Sequence, residues 1–329
     1  MGLKNKNIMV LGGAGFIGSA LARGLLKKSA NVVVYDNFSF GHISNLAEIE
    51  DKIKIVKADI LDYSKLLGIV RKNNIEFICH LVADPFVPNS YRHPDRVFNL
   101  ITQGTQNVLN ACKESEIKKI IYFSSAEIYG NYKYLPIDES HPANPLSVYA
   151  AAKLAADNMC CLYPYKNGTS VTTLRLFNAF GPRETHPYII PELISQLSRS
   201  NIARLGNIKS RRSFLFVNDV VDGTIKLLES NNKSKNAIFN LGSDKSYSIE
   251  ELVHIVGEML GRKNIKVIID KKRKRHLDPK ILECNYKKVK ILVGWKPKTD
   301  FESGLKNTIS WFLENGRKWG WEKTYDRFY

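Results

Sequence analysis

IMVLGGAGFIGSALARGLLKK, residues 8–28, joins three local patterns that together specify a fold. An apolar run predicts a buried strand over Ile8–Leu11, a glycine-rich turn follows, and apolar residues at helical spacing predict a helix over Ser19–Lys28. A strand that passes through a tight turn directly into a helix is the first half of a strand–helix–strand crossover unit.

Similar apolar runs recur along the first half of the chain, separated by segments with helical patterns. Strands are predicted at Val32–Tyr35, Ile53–Lys57, Ile75–Leu81, Ile120–Ser124 and Val171–Leu176, and helices at Asn99–Ser115 and Leu146–Tyr163. Runs that do not alternate fit strands buried on both faces, and intervening helices indicate parallel pairing. The predicted fold class is α/β, a Rossmann-type doubly wound parallel sheet.

The pattern changes after Asn178, where the loops become longer. The later helices are predicted at Pro191–Ser200, Ser248–Leu260 and Phe301–Asn315. We expect a Rossmann domain over 1–178 and a smaller, mainly substrate-binding lobe over 179–329, from which segments return to the main sheet.

The glycines of the first turn, Gly12, Gly15 and Gly18, have the spacing G-x-x-G-x-x-G. Such a turn lets the backbone touch a pyrophosphate, and the helix N-terminus directs its free N–H groups at that charge. Any tight strand-to-helix turn is the alternative, but the flanking strand and helix favour a dinucleotide site. Phe16 and Ile17, inside the turn, belong to this predicted site.

Two acidic residues follow later strands. Asp36 ends the second strand, where a carboxylate can accept hydrogen bonds from ribose hydroxyls and repel a 2′-phosphate, which favours NAD over NADP. With Asn37 it also forms good turn chemistry, the alternative interpretation. Asp59 and Ile60 end another strand, and Asp59 either contacts the adenine or caps the next helix.

Bulk composition limits the function classes. The chain has 329 residues, with 49 Lys and Arg against 32 Asp and Glu and a formal net charge of +17. This excess favours anionic partners, either nucleic acid or a diphosphate substrate, although scattered lysines also fit an ordinary solvated surface. Five cysteines without a C-x-x-C pair indicate a reduced compartment and no zinc site.

Location is predicted from apolar segments. No run of about 18 uncharged apolar residues exists, so we expect no membrane span. The N-terminal apolar run leads directly into glycines, and we interpret it as a strand rather than an export signal. The expected location is therefore the cytoplasm.

Tyr149 and Lys153 lie four residues apart in a predicted helix and so project from one face. An ammonium and a positive nicotinamide ring beside a phenol favour the phenolate and lower its pKa. Tyr149 would then take the proton from a substrate hydroxyl while hydride passes to NAD, and Ser125, at the end of the fifth strand, would hold the same hydroxyl.

With these residues in place, the chain resembles an extended short-chain dehydrogenase/reductase of the NAD-dependent nucleotide-sugar epimerase/dehydratase family. The matching segments occur in family order and span nearly the whole chain. They are GGAGFIG (12–18), Asp36, ADI (58–60), HLVA (80–83), FSSAEIYG (123–130), Tyr149 with Lys153, RLFN (175–178), GP (181–182), RSF (212–214), DV (219–220) and LVGWKP (292–297).

The resemblance implies further contacts. Around NAD it adds Leu81, Ala83, Asn99 and Ser124. Toward the substrate it implies Asn178 near the sugar or phosphate, and Arg212 and Arg275 as bidentate grips on the diphosphate. It also implies a homodimer joined through a four-helix bundle that includes the Tyr149 helix. Asp84 departs from the family pattern, and we take it as a contact that selects the sugar.

The resemblance also implies a first step, oxidation of the sugar at C4, but leaves the second step open. Glu127 resembles the glutamate that removes the C5 proton in dehydratases and favours dehydration. Ala126 cannot donate a proton to a leaving hydroxyl and favours epimerisation. Decarboxylation and simple release of the ketone remain alternatives.

Two other classes of protein compete with an enzyme. A regulatory protein could keep the dinucleotide and lose catalysis, but both Tyr149 and Lys153 are intact. An RNA-binding protein could use the positive charge, but no basic motif with interleaved aromatic residues is present, and we expect no specific nucleic-acid binding.

Overall fold

The computed structural model describes residues 2–162, 168–230, 237–275 and 277–315. The first half contains β1 (Asn7–Leu11), α1 (Phe16–Lys27), β2 (Asn31–Asp36), β3 (Lys54–Lys57), α2 (Tyr63–Lys72), β4 (Phe77–His80), α3 (Val87–Arg92), α4 (Pro94–Lys113), β5 (Lys119–Ser125), α5 (Val148–Leu162) and β6 (Ser170–Leu176). The second half contains β7 (Asn178–Phe180), α6 (Ile189–Arg199), β8 (Ile202–Leu205), β9 (Arg211–Phe216), α7 (Val217–Glu229), β10 (Ala237–Leu241), β11 (Ser246–Ser248), α8 (Ile249–Met259), β12 (Lys266–Ile269), β13 (Ile281–Leu282), α9 (Lys287–Val293) and α10 (Phe301–Asn315). None of these described helices has the length and apolar character needed to cross a membrane.

The main sheet has seven strands in the order β10-β6-β5-β4-β1-β2-β3, and every neighbouring pair in it is parallel. This confirms the predicted Rossmann-type α/β class. The strands β2 and β3 follow on one side of β1, whereas β4 and the later strands of the sheet follow on its other side. The loops after β1 and β4 therefore lead in opposite directions. Such a switch point opens a crevice at the carboxyl ends of the strands, where ligands of this fold class bind.

Helices cover both faces of this sheet. Alternate side chains of β1 point in opposite directions, so Val10 packs with α1 and α7 on one face, and Met9 packs with α2, α4 and α5 on the other. Both residues are fully buried. The strands are therefore apolar without alternation, which explains the continuous runs in the sequence.

The second lobe surrounds β9. This strand pairs in parallel with β7 and β13 and antiparallel with β11, while β8 and β12 form a separate pair. Its core is rich in aromatic rings, including Phe180, Phe214 and Phe216. Meanwhile α7 packs against α1, and β10 extends the main sheet beside β6. The division at residue 178 stays a prediction.

Several predicted boundaries were wrong for local reasons. The first helix begins at Phe16 because Gly15, in extended conformation, is its N-cap. The helix predicted from Asn99 begins at Pro94, since proline is well suited to the first turn. The helices α2, α3, α7 and α9 were not predicted. The predicted helix end at Tyr163 lies outside the described residues.

A buried ion pair fixes α5 to β6. Arg175 Nε donates to Asp157 Oδ2 at 2.9 Å, and their side chains are 9% and 1% exposed. Arg175 also donates to the hydroxyl of Tyr129 and lies over its ring. Because Asp157 lies one turn beyond Lys153, this pair orients the helix that carries the predicted catalytic residues.

Replacing Asp157 by alanine should lower the free energy of unfolding by about 3–5 kcal/mol, because Arg175 would remain as a buried, unpaired cation. Urea unfolding followed by circular dichroism measures this change. Lys28→Ala, which breaks an exposed pair with Glu229, is the control and should cost less than about 1 kcal/mol. Equal effects of the two substitutions would contradict the role of the buried pair.

Candidate active site

A cavity of about 550 Å³ lies at the carboxyl ends of the central strands. It brings together nearly all the predicted site residues, although they come from distant parts of the chain. Those that line it are Gly12, Gly15, Phe16, Ile17, Gly18, Asp36, Asn37, Asp59, Ile60, Leu81, Ala83, Asn99, Ser124, Ser125, Glu127, Tyr149, Lys153, Asn178, Arg212 and Arg275. The exception among the predicted residues is Asp84.

The glycine turn is packed so closely that side chains cannot fit. A Cβ atom at Gly18 would lie 2.2 Å from the carbonyl oxygen of Gly12, which is far inside van der Waals contact. Gly12 itself has φ +79°, a conformation that favours glycine. The turn therefore leaves backbone, without side chains, at the N-terminus of α1, as binding of a pyrophosphate requires.

Asp36 ties this turn to the end of β2. Its Oδ2 accepts from the backbone N–H of Ala14 at 2.9 Å, and its Oδ1 accepts from the N–H of Phe38 at 2.8 Å. Burial raises the pKa of Asp36, and the two N–H donors oppose that shift. Each carboxylate oxygen keeps acceptor capacity for a ribose hydroxyl.

Asp59 stabilises the turn after β3 through hydrogen bonds to its carboxylate. Its Oδ1 accepts from the N–H of Leu61 at 2.9 Å, and its Oδ2 accepts from Asn37 Nδ2 at the same distance. The two predicted cofactor residues therefore hold each other at the far end of the cavity. An adenine contact by Asp59 stays a prediction.

The predicted catalytic residues meet where β5 ends and α5 begins. The hydroxyl groups of Tyr149 and Ser125 both line the cavity, and Ser125 Oγ accepts from the backbone N–H of Glu127 at 3.2 Å. Tyr149 is 7% exposed, and its buried surroundings raise its pKa. Lowering of the pKa of this phenol by Lys153 together with an oxidised nicotinamide stays a prediction, because the raised pKa reflects the protein's own surroundings, mainly burial.

Lys153 is held by the backbone. Its Nζ donates to the carbonyl of Phe123 at 2.6 Å and lies 5.1 Å from the centre of the Tyr122 ring. Burial lowers the pKa of Lys153 to about 8, with Asp157 opposing the shift. A cation with so low a pKa loses its proton easily when the charge around it changes.

The substrate side contains a network of two arginines and two carboxylates. Arg275 Nη1 lies 3.4 Å from Glu127 Oε1 and 3.4 Å from Asp278 Oδ1. Arg212 Nη2 donates to the same Asp278 oxygen at 2.8 Å, and its Nη1 donates to the carbonyl of Pro279. Arg212 is thus largely satisfied within the protein, while Arg275 is less buried and closer to Glu127.

Asp84 does not reach the cavity wall. Both of its carboxylate oxygens accept from Asn89 Nδ2, at 3.0 and 3.1 Å, and Oδ2 pairs with Arg96 at 2.6 Å. The Asp84 side chain is 1% exposed. The expected sugar contact is therefore not supported, and the residue instead ties α3 and α4 to the loop after β4.

Several cavity residues were missed by the sequence analysis. His186 stacks on Phe86, and Tyr188 contacts the same ring edge-on. Glu184 also lines the wall, and Asp278 joins the arginine network. The only available signals were their positions, Glu184 close after Gly181-Pro182 and Asp278 in Arg-x-x-Asp, neither of which specifies a side-chain direction.

The residues present fit NAD. The glycine turn forms a cradle that a Cβ atom would fill. The buried carboxyl of Asp36 lies beside this turn, where it can accept hydrogen bonds from the hydroxyl groups of a ribose. Within the described ranges, no group of three or more His, Cys, Asp or Glu side chains is arranged to hold a metal ion.

Comparison with known proteins agrees with this geometry. Residues 9–308 match the model of the GDP-mannose 4,6-dehydratase family. A putative UDP-glucose 4-epimerase from Methanocaldococcus jannaschii is 32% identical over 315 residues, covering 94% of this chain and 99% of the relative.

Two solved structures superpose over nearly the whole chain. UDP-glucose 4-epimerase from Thermotoga maritima, solved with UDP-glucose, has a TM-score of 0.87 at 29% identity, covering 94% of this chain and 99% of its own. dTDP-glucose 4,6-dehydratase from Streptomyces venezuelae, solved with NAD, has a TM-score of 0.89 at 27% identity, covering 95% and 99%.

Gly18→Ala should abolish measurable NAD binding, because the added methyl group would push the Gly12 carbonyl away from its place in the turn. Equilibrium dialysis against labelled NAD measures the loss. Gly68→Ala is the matched control, since a Cβ atom there has no neighbour within 4 Å and should stabilise α2 slightly. Undiminished NAD binding by Gly18→Ala would contradict the proposed cradle.

Proposed function

Because the chain belongs to the GDP-mannose 4,6-dehydratase family of extended short-chain dehydrogenases/reductases, we propose that it is an NAD-dependent enzyme that oxidises the sugar of a nucleotide-diphosphate sugar at C4 and then remodels it. The observation that carries the proposal is the meeting of Tyr149, Ser125 and Lys153 in one cavity with the glycine turn. A protein that only bound the dinucleotide would not need this arrangement.

Tyr149 acts as the base of the first step. Its hydroxyl group and that of Ser125 line the same cavity, where both can reach one sugar hydroxyl. NAD, held by the glycine turn and Asp36, would supply a hydride acceptor and a positive charge beside this position. Lys153, held against the carbonyl of Phe123, is a fixed cation beside that position and stabilises the phenolate as the proton leaves the sugar.

Glu127 favours dehydration as the second step. Glu127 and Tyr149 both line the cavity. A carboxylate there can remove the C5 proton that the C4 ketone has made acidic. Epimerisation is the second candidate, because Ala126 is a buried methyl group that cannot protonate a leaving hydroxyl.

Arg275 grips the substrate diphosphate in this proposal. Its side chain is 26% exposed, whereas that of Arg212 is 6% exposed and tied to Asp278. A guanidinium that is only loosely paired can turn to meet phosphate oxygens bidentately. Arg212 then acts mainly by holding Asp278, and Asn178 contacts the sugar or phosphate from the start of β7.

The proposed working form is a homodimer in the cytoplasm. Phe98 on α4 is 43% exposed and Leu162 on α5 is 81% exposed, and these two helices pack against each other. An apolar surface on adjacent helices suits a four-helix interface with a second copy. The five cysteines are mostly buried and, in the described part of the chain, form no disulfide, which is compatible with a reducing compartment.

Tyr149→Phe should lower turnover by about 10²–10⁴-fold, because the proposed base for the sugar hydroxyl is removed, while NAD binding is kept. Turnover of UDP-, GDP-, CDP- and dTDP-sugars is followed by mass spectrometry and NMR. Tyr132→Phe, the same change at an exposed tyrosine outside the cavity wall, should leave turnover unchanged. Full activity of Tyr149→Phe would refute the proposed base.

Glu127→Gln should separate the two halves of the reaction. If the wild-type product has lost one water, the variant should form the C4 ketone and reduced NAD but release little dehydrated sugar. Reduced NAD is read by absorbance and the sugar by mass. Glu116→Gln, at an exposed position, is the control. Epimerisation would be established instead by two results together. The wild-type product would keep its mass but change its NMR spectrum, and Glu127→Gln would form this product equally well.

A further inference from the structure

The loop between β7 and α6 places a buried glutamate in the cavity wall, and the reaction above gives it no role. Glu184 lines the cavity and is only 2% exposed. Its Oε2 atom is buried and, within the part of the chain that the structure describes, has no hydrogen-bond partner. Such an atom costs free energy unless a ligand satisfies it.

Both flanks of Glu184 touch the part of the cavity around the glycine turn. On one side, a Cβ atom at Gly181 would lie 3.4 Å from the ring of Phe16, the first residue of α1. On the other side, the ring of His186 lies 5.4 Å from that of Phe40, in the loop that follows β2. The segment that carries Glu184 is therefore flanked by elements of the proposed dinucleotide site.

The charged and titratable neighbours of Glu184 do not neutralise a carboxylate. Tyr188 lies close enough for the two groups to interact, and the pKa of His186 is lowered to about 4 by burial, so its ring is neutral. Arg183 pairs with Glu48 at 2.7 Å. Burial accordingly raises the pKa of Glu184 well above its usual range, which favours the protonated carboxyl.

We propose that Glu184 binds NAD as a neutral carboxylic acid and donates one hydrogen bond to an oxygen atom of the dinucleotide. A protonated carboxyl has one O–H donor, whereas a carboxylate only accepts and would repel the pyrophosphate. By contrast, Ser125 and Glu127, which influence the pKa of the Tyr149 phenol, belong to the proposed sugar side of the cavity. The inference rests on the use of NAD and not on which sugar is converted.

Equilibrium dialysis against labelled NAD gives the first test. Glu184→Gln keeps a donor of nearly the same shape, so its Kd should stay within about threefold of wild type. Glu184→Ala removes the donor and should raise Kd about fivefold to tenfold. Glu48→Gln changes a glutamate that pairs with the same loop from outside and should leave Kd unchanged. A Glu184→Gln variant as weak as Glu184→Ala would overturn the proposal.

Infrared difference spectra at neutral pH report the protonation state of Glu184 directly. If Glu184 had only a structural role, adding NAD would not shift its carboxyl band. The C=O stretch of a protonated carboxyl should shift when NAD is added and should be missing from Glu184→Gln. A change confined to carboxylate bands would overturn the proposal. So would a band that shifts only when UDP is added to the NAD-loaded protein, because Glu184 would then contact the sugar nucleotide. Either failure leaves the Tyr149→Phe result unaffected, so the two proposals are tested separately.

Discussion

The close approach of Gly12 to the first turn of α1 is the constraint on which the rest of the site depends. With 2.2 Å between the Gly12 oxygen and a Cβ atom at Gly18, no other residue type fits at that second position. The contact aims the N-terminus of α1 at the cavity and brings the N–H of Ala14 to Asp36, which ends the neighbouring strand. One steric condition thus positions both the pyrophosphate cradle and the ribose acceptor.

Desolvation, more than pairing of opposite charges, sets the protonation of the groups around this cradle. Lys153 is bound to a carbonyl oxygen and its pKa falls to about 8, while burial raises the pKa of Tyr149 and of Glu184. A neutral phenol and a neutral carboxyl avoid uncompensated charge in a closed site. In the proposed reaction, the positive charge of oxidised NAD would make the phenol a base only where hydride can also leave.

The substrate side uses paired charges instead. Glu127 and Asp278 share Arg275, and Asp278 also receives Arg212. These residues come from the turn after β5, from β9 and from the loop before β13, so the network joins the main sheet to the second lobe. A diphosphate that draws Arg275 toward itself would also change the surroundings of Glu127, which links binding of the nucleotide to the proposed second step.

The sequence by itself determined the features that depend on neighbouring residues. Glycine spacing after β1 predicted the turn, apolar runs predicted the parallel sheet, and the four-residue spacing of Tyr149 and Lys153 placed both on one helical face. Only the tertiary structure decided which long-range partner each polar group meets. Asp84 is taken by Asn89 and Arg96 rather than by a sugar, and Glu184 enters the cavity, because the packing of separate segments, not local spacing, decides burial and hydrogen-bond partners.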